Sequence, residues 1–135
     1  MRKVSAGVCI RHPSRDDLVL STSRGLIPPL RWVLVGGNAD PGETPLDCAV
    51  REAFEETGIR LEPEELLAYD PFVANLEGWE TTFYLATRLS RRFKRCSLEG
   101  WVAWKPIETI LKFVPYEAYN RALFEHFGLL GGQHA

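Results

Sequence analysis

Cysteine, methionine and long apolar runs are all scarce in this chain, and each scarcity removes a class of protein. Only Cys9, Cys48 and Cys96 occur among its 135 residues. They are odd in number and show no CxxC or Cys/His ligand spacing, so the sequence predicts neither a disulfide framework nor a structural zinc site. The apolar stretches are short: residues 32–35 run straight into Gly36-Gly37, far below the roughly 18 to 20 residues that cross a bilayer as a helix. The apolar segment after the basic Met1-Arg2-Lys3 is broken by Arg11-His12-Pro13, too early for a signal-peptide core. A cytoplasmic protein without a membrane partner is expected. A dominant charge is missing too: 16 basic against 18 acidic residues leave −2, which carries no global nucleic-acid signature.

What is present describes an ordinary folded domain. With 45% apolar and 25% charged residues, the chain can bury a core, and its length leaves room for one core only. A single domain over residues 1–135 is therefore expected, of unspecified oligomeric state. The charge is uneven. Residues 40–65 hold nine acidic and two basic side chains, net −7, against net +5 for the rest. Like charges packed so densely repel one another unless solvent, arginine or a cation offsets them.

Element signals alternate between strand and helix. Residues 4–11 and 18–23 read as strands joined in a hairpin through the turn-forming segment 13–17. Residues 32–35, 66–73, 81–89 and 101–104 supply further β-branched and aromatic runs. The sharpest element is a helix over 45–57. Thr44 suits its N-cap, Pro45 its first turn, Asp47 the positive end of its dipole and Gly58 its C′ position. At 100° per residue, Leu46, Val50, Ala53, Phe54 and Thr57 share one side, and Glu52, Glu55 and Glu56 lie together on the other. Carboxylates at i, i+3 and i+4 suit a hard divalent cation such as Mg²⁺ or Mn²⁺. Arg51 is spaced to pair with Glu55 at i+4. A second amphipathic helix is expected over 115–127, where Tyr116, Tyr119, Leu123 and Phe127 repeat at helical spacing before Gly128.

The acidic helix sits in a longer pattern: Gly37, five residues, Glu43, seven residues, then Arg51-Glu52-Ala53-Phe54-Glu55-Glu56-Thr57-Gly58-Ile59. This resembles the signature of the Nudix hydrolase family, G-x5-E-x7-R-E-U-x-E-E-x-G-U with U apolar, at all nine specified positions. Outside that box, residues 20–24 and 32–37 look like the family's approach to it, with Val35 standing where proline is usual before Gly-Gly. Residues 99–107 are similar to its last core strand. The resemblance implies an α/β fold, an α/β/α sandwich around a mixed β-sheet. It also implies Mg²⁺-dependent (or Mn²⁺-dependent) hydrolysis of a pyrophosphate bond in a nucleoside diphosphate linked to another group. On that reading Glu52, Glu55 and Glu56 are metal ligands, with the Gly37 carbonyl as a further one. Arg51 orients the carboxylates, Glu43 supports the loop or binds through water, Gly58 supports the site, and the general base is Glu52 or Glu99.

Substrate is less defined. Arg24, at a strand end, suits bidentate phosphate binding, and Trp79 could stack on a base. Trp32, Trp101 and Trp104 read as core or pocket wall. The basic run Arg88, Arg91, Arg92, Lys94, Arg95 reads as an exposed connection between strands. Auxiliary marks of the family's ADP-ribose, dinucleoside polyphosphate and NADH branches are absent at their usual places. The default expectation is a nucleoside triphosphate pyrophosphohydrolase acting on a small-molecule nucleotide. The alternatives are a dinucleoside polyphosphate hydrolase, which the segment 104–123 resembles somewhat, and a Nudix module that binds nucleotide without cleaving it.

Overall fold

A computed structural model describes residues 3–86, 89–112 and 116–130. Six strands form one mixed sheet: β1 (Lys3–Ile10), β2 (Leu18–Arg24), β3 (Arg31–Asn38), β4 (Phe72–Leu76), β5 (Trp79–Ala86) and β6 (Val102–Pro106), in the order β4-β5-β1-β3-β2-β6. β1 and β5 run parallel, and the other neighbours are antiparallel. Among the described residues, four helices accompany the sheet: α1 (Pro45–Thr57), α2 (Pro63–Leu66), α3 (Ile107–Leu111) and α4 (Glu117–His126).

Side chains alternate across a strand with period two, and a sheet covered on both faces buries both sets. Ala6, Val8 and Ile10 of β1 join Leu20, Val35 and Tyr84 against Cys48, Ala49 and Ala53 of α1. Their strand neighbours Cys9, Val19, Leu34 and Leu85 point the other way, onto Ile107, Ile110, Leu123 and Phe124 of α3 and α4. The result is the expected α/β/α sandwich. No described helix is long and apolar enough to cross a membrane.

Four expectations need correction. β1 and β2 are consecutive but do not form a hairpin, because β3 lies between them and pairs with both; only an isolated bridge joins Arg11 to Val19. The strand expected over 66–73 begins at Phe72. Before it, Pro63 opens the short α2, and the Glu65 carboxylate accepts the Glu62 N–H at 2.8 Å, so cap chemistry outweighs the apolar run. Phe54 is not on the packed side of α1; it is exposed and carries the Arg60 guanidinium 4.4 Å from its ring centroid. β5 starts two residues earlier than expected, at Trp79, because the Glu77-Gly78 turn uses positive φ at both residues. The helix expected over 115–127 is α4, Glu117–His126; its expected start at Pro115, and Arg88, lie outside the described residues.

Candidate active site

α1 holds its carboxylates against the end of β3. The Thr44 hydroxyl accepts the Asp47 N–H at 3.1 Å, and Gly58, at φ +80°, donates its N–H to the Phe54 carbonyl at 2.8 Å. Gly58 thus closes the helix in the left-handed conformation that glycine tolerates without a Cβ penalty. At Gly37 the need for glycine is different: a Cβ there would overlap the Glu52 carboxylate, so only a hydrogen lets that carboxylate lie on the strand.

Arg51 is the anchor of the loop between β3 and α1. Its Nε and Nη2 donate to the two oxygens of Glu43 at 2.8 and 2.9 Å, Nη2 also donates to the Asn38 carbonyl at 3.0 Å, and Nη1 donates to Glu55 at 3.0 Å. Glu43 in turn accepts the Asp40 N–H at 2.9 Å. These bonds, chiefly those from Arg51, pull the Glu43 carboxyl down to about 2. Glu43 therefore fastens the loop to the helix. Cys48 is buried beneath, where its thiol faces the Gly37 carbonyl at 3.5 Å, a packing role.

A cleft of about 510 Å³ opens where these elements meet the end of β2 and the loop before β6. Arg24, Gly37, Glu52, Glu56 and Glu99 all line it. Glu56 is pushed up to about 8, first by burial and then by the Glu52 charge, against the opposing pull of the Gly36 N–H at 3.3 Å and of Arg24. Glu52, its side chain 13% exposed, is raised as well, again mainly by burial. Glu99 contributes repulsion to both. Glu99 is held by its backbone: its N–H donates to Ser97 Oγ at 3.2 Å, and its carbonyl accepts the Gly25 N–H at 3.0 Å.

Glu55 is placed differently from the other two helix glutamates. Its side chain is 52% exposed, pairs with Arg51 and is absent from the cleft lining. Among the described residues, no three His, Cys, Asp or Glu side chains are already converged as a metal cage. The cleft itself nevertheless suits a hard cation. Its donors are carboxylate and carbonyl oxygens, and burial, with mutual repulsion second, disfavours the charged form of Glu52 and Glu56, a cost that a bound divalent ion would relieve.

Other sequence candidates divide. Arg24 stands at the cleft. Trp79 lines neither this cleft nor the cavity beside it; it sits at the β4–β5 turn with the Lys3 ammonium 5.5 Å from its ring centroid. Arg91 is tied to Glu65 and the Arg60 carbonyl, so this part of the basic run fastens a loop. Sequence reasoning missed the second cavity, about 480 Å³, which shares Arg24, Val33, Gly36, Gly37 and Asn38 with the cleft and adds Arg31, Phe83, Tyr119 and Asn120. The helical spacing of α4 marked Tyr119 as packing; the amide beside it was the available signal.

Known proteins share the family and the fold. A family model described as NUDIX domain matches residues 1–127. Diphosphoinositol polyphosphate phosphohydrolase 3-alpha of Homo sapiens is 37% identical over 59 residues, covering 44% of this chain and 35% of that protein. The corresponding 3-beta protein of Bos taurus is 39% identical over the same length and shares. The match thus spans about a third of those relatives. Among solved structures, a C. elegans Ap4A hydrolase binary complex superposes with a TM-score of 0.69 at 22% identity, covering 96% of this chain and 98% of that one. A MutT protein from Bacillus halodurans gives 0.62 at 22% identity, covering 88% and 80%. At these identities the structural likeness speaks for the fold.

Proposed function

The chain belongs to the NUDIX domain family, and from that premise we propose that it is a divalent-metal-dependent pyrophosphohydrolase acting on a nucleoside diphosphate linked to another group. The observation that carries this reading is the convergence of Glu52, Glu56, Glu99 and Arg24 on one cleft beside Gly36-Gly37. Phosphoanhydride hydrolysis requires three things there: neutralisation of charge on the phosphoryl oxygens, a base for the attacking water, and geometry that puts that water in line with the leaving phosphate. Glu52 and Glu56, with the Gly37 carbonyl, are the residues that would hold Mg²⁺ or Mn²⁺, and Glu55 is one Arg51 contact away from joining them. When bound, such an ion supplies Lewis-acid charge neutralisation and a more acidic water.

The chain's own groups do the rest. The Arg24 guanidinium offers a planar fork to two phosphate oxygens. Glu99 or Glu52 takes a proton from water as its oxygen bonds to phosphorus and the bridging P–O bond breaks toward the leaving phosphate. The adjoining cavity favours a nucleoside as the organic part: Phe83 and Tyr119 give ring surface, Asn120 an amide for a base edge, and the shared wall keeps the phosphates at the carboxylates. A nucleoside triphosphate is the simplest substrate of this class.

The test is a panel of nucleoside triphosphates, nucleoside diphosphate sugars, dinucleoside polyphosphates and a diphosphoinositol polyphosphate, assayed with Mg²⁺ for released phosphate, pyrophosphate and mononucleotide. Metal-dependent cleavage of the nucleotides is expected. Tight nucleotide binding without any turnover would make the chain a binding module instead, and turnover of the inositol compound alone would overturn the nucleoside assignment.

A further inference from the structure

We propose that Ser23 is a positioning residue for the reaction: its buried hydroxyl holds the turn that carries Glu99 in register with Arg24, so that the carboxylate meets the water beside the bound phosphate. The inference rests on the pyrophosphohydrolase reading above and deepens it by naming what fixes Glu99. Ser23, Arg24 and Glu99 all line the cleft.

β2 and β6 pair as an antiparallel ladder from Leu18 opposite Pro106 to Thr22 opposite Val102. Continued past β6, that register sets Ser23 opposite Trp101 and Gly25 opposite Glu99. In a regular hydrogen-bonded pair each residue both donates and accepts. Here the backbone bonds run one way: the Ser23 N–H donates to the Trp101 carbonyl at 2.9 Å, and the Gly25 N–H to the Glu99 carbonyl at 3.0 Å. The return bonds go to serine hydroxyls instead. The Trp101 N–H donates to Ser23 Oγ at 2.8 Å, and the Glu99 N–H to Ser97 Oγ at 3.2 Å. Ser23 Oγ donates in turn to the Gly25 carbonyl at 2.7 Å. One hydroxyl thus supplies the acceptor of the first pair and occupies the acceptor of the second.

Close approach of the backbones accounts for the exchange. Gly100 lies so near Ser23 that a Cβ there would overlap the Ser23 carbonyl oxygen. A bridge between Cys96 and Trp101 closes a turn, with the Ser97 N–H on the Gly100 carbonyl at 2.8 Å and Leu98 and Glu99 at its tip. Little else packs this turn: Leu98 is 98% exposed, and Trp101, which the sequence marks as core or pocket wall, is 42% exposed and tied through its indole N–H to the Leu26 carbonyl. Ser23, by contrast, is 4% exposed. Arg24, the next residue, is held separately by its pairing with Arg31 on β3. Loss of the Ser23 hydroxyl would strip partners from the Trp101 N–H and the Gly25 carbonyl and let the Glu99 turn shift, while Arg24 and the carboxylates of α1 keep their places. A displaced base loses rate rather than binding, because the proton is taken only in the transition state.

The experiment compares wild type with Ser23→Ala, Ser23→Thr, Gly100→Ala, Glu99→Gln and the double variant Ser23→Ala/Glu99→Gln. Initial rates with Mg²⁺ use the fastest-cleaved nucleotide of the panel above, equilibrium binding uses its methylene-bridged analogue, and NMR reads hydrogen exchange of the Gly25 amide in the metal-free protein. For S23A the expected kcat is about tenfold lower, the scale of one lost hydrogen bond, with KM and the analogue Kd changed by less than about twofold. S23T keeps the hydroxyl and should recover most of kcat. G100A forces the turn off Ser23 without touching the hydroxyl and should reproduce S23A, and both should speed exchange of the Gly25 amide. In the E99Q background S23A should cost less than about twofold more, since a residue that acts through Glu99 has nothing left to act on. Additive losses in the double variant, unchanged Gly25 exchange in S23A, or a loss of affinity equal to the loss of kcat each overturns the inference. So does an E99Q enzyme with wild-type kcat, which leaves the hydrolase reading intact with Glu52 as the base. Should S23A fail to fold by circular dichroism, G100A and its double variant with E99Q carry the same test. If wild type cleaves no nucleotide of the panel, the hydrolase reading itself fails, and the inference with it.

Discussion

Glu56 and Glu52 are withdrawn from solvent and repelled by neighbouring carboxylates, unlike an ordinary surface carboxylate, and the difference predicts what their loss does. Glu56→Gln keeps shape and removes the charge that a cation would neutralise, so turnover should fall by about 10²-fold or more with the fold retained, on the scale of losing a major transition-state stabiliser. Initial rates at saturating Mg²⁺ check this, and near-normal turnover would remove Glu56 from the site. Glu99 is separated from Glu52 by a second measurement. If Glu99 is the base, Glu99→Gln lowers kcat while substrate and metal affinity stay nearly constant, because the lost interaction exists only in the transition state. If Glu52 is the base, Glu52→Gln shows the larger drop, mixed with weakened metal binding, and Glu99→Gln keeps the acidic limb of its pH–rate profile. Paired pH–rate profiles decide between them.

At the scale of elements, the loop from β3 to α1 is tied to the helix through Arg51, whose closest carboxylate contact is the bidentate pair with Glu43. The Glu43 carboxyl is held near 2, below its ordinary value near 4.5, by the Arg51 guanidinium. A depressed carboxyl pKa stabilises the native state fully above the unfolded value and loses that contribution as pH falls through the folded one. The stability gap between wild type and Glu43→Gln should therefore be constant above about pH 5 and shrink between about pH 4.5 and pH 2. Urea midpoints across that range measure it, and a gap independent of pH would show that the bidentate pair is not what secures the loop. α1 itself was legible from sequence to its last residue because its start and stop are local chemistry: Thr44, Pro45, Asp47 and Gly58 each act within one turn. The partner of β1 was not legible, since pairing β1 with β3 and β5 is decided by long-range packing on both sheet faces rather than by the turn at 13–17. The same divide runs through the site. The spacing of Glu52, Glu55 and Glu56 and the i, i+4 pairing of Arg51 with Glu55 were visible, but the approach of the Glu52 carboxylate to Gly37 and the exposure of Trp101 arise from contacts that no local pattern encodes.

The whole molecule places its acidic segment, net −7 over residues 40–65, on one face of the sandwich, with α1 packed through Cys48, Ala49 and Ala53 so that the cleft is assembled before any ligand arrives. Folding therefore gathers Glu52, Glu56 and Glu99 into mutual repulsion, a cost absent from the unfolded chain, where they are solvated and far apart. A divalent ion that binds only the folded cleft shifts the equilibrium by RT ln(1 + [L]/Kd), about 2.7 kcal/mol at a hundredfold excess over Kd. For a domain of this size each kcal/mol moves the midpoint by about 3 °C, so millimolar Mg²⁺ or Mn²⁺ at that excess should raise Tm by about 8 °C. NaCl at matched ionic strength should reproduce little of the rise, because screening acts weakly on groups removed from solvent. The double variant Glu52→Gln/Glu56→Gln should lose the metal response and melt higher than wild type without metal, since both consequences follow from removing the same clustered charge. Differential scanning fluorimetry across a metal titration tests both at once. A wild-type Tm indifferent to Mg²⁺ and Mn²⁺ would reject a metal site in this cleft. A double variant that melts lower without metal would show that hydrogen bonds of these carboxylates, such as that from the Gly36 N–H, outweigh their repulsion.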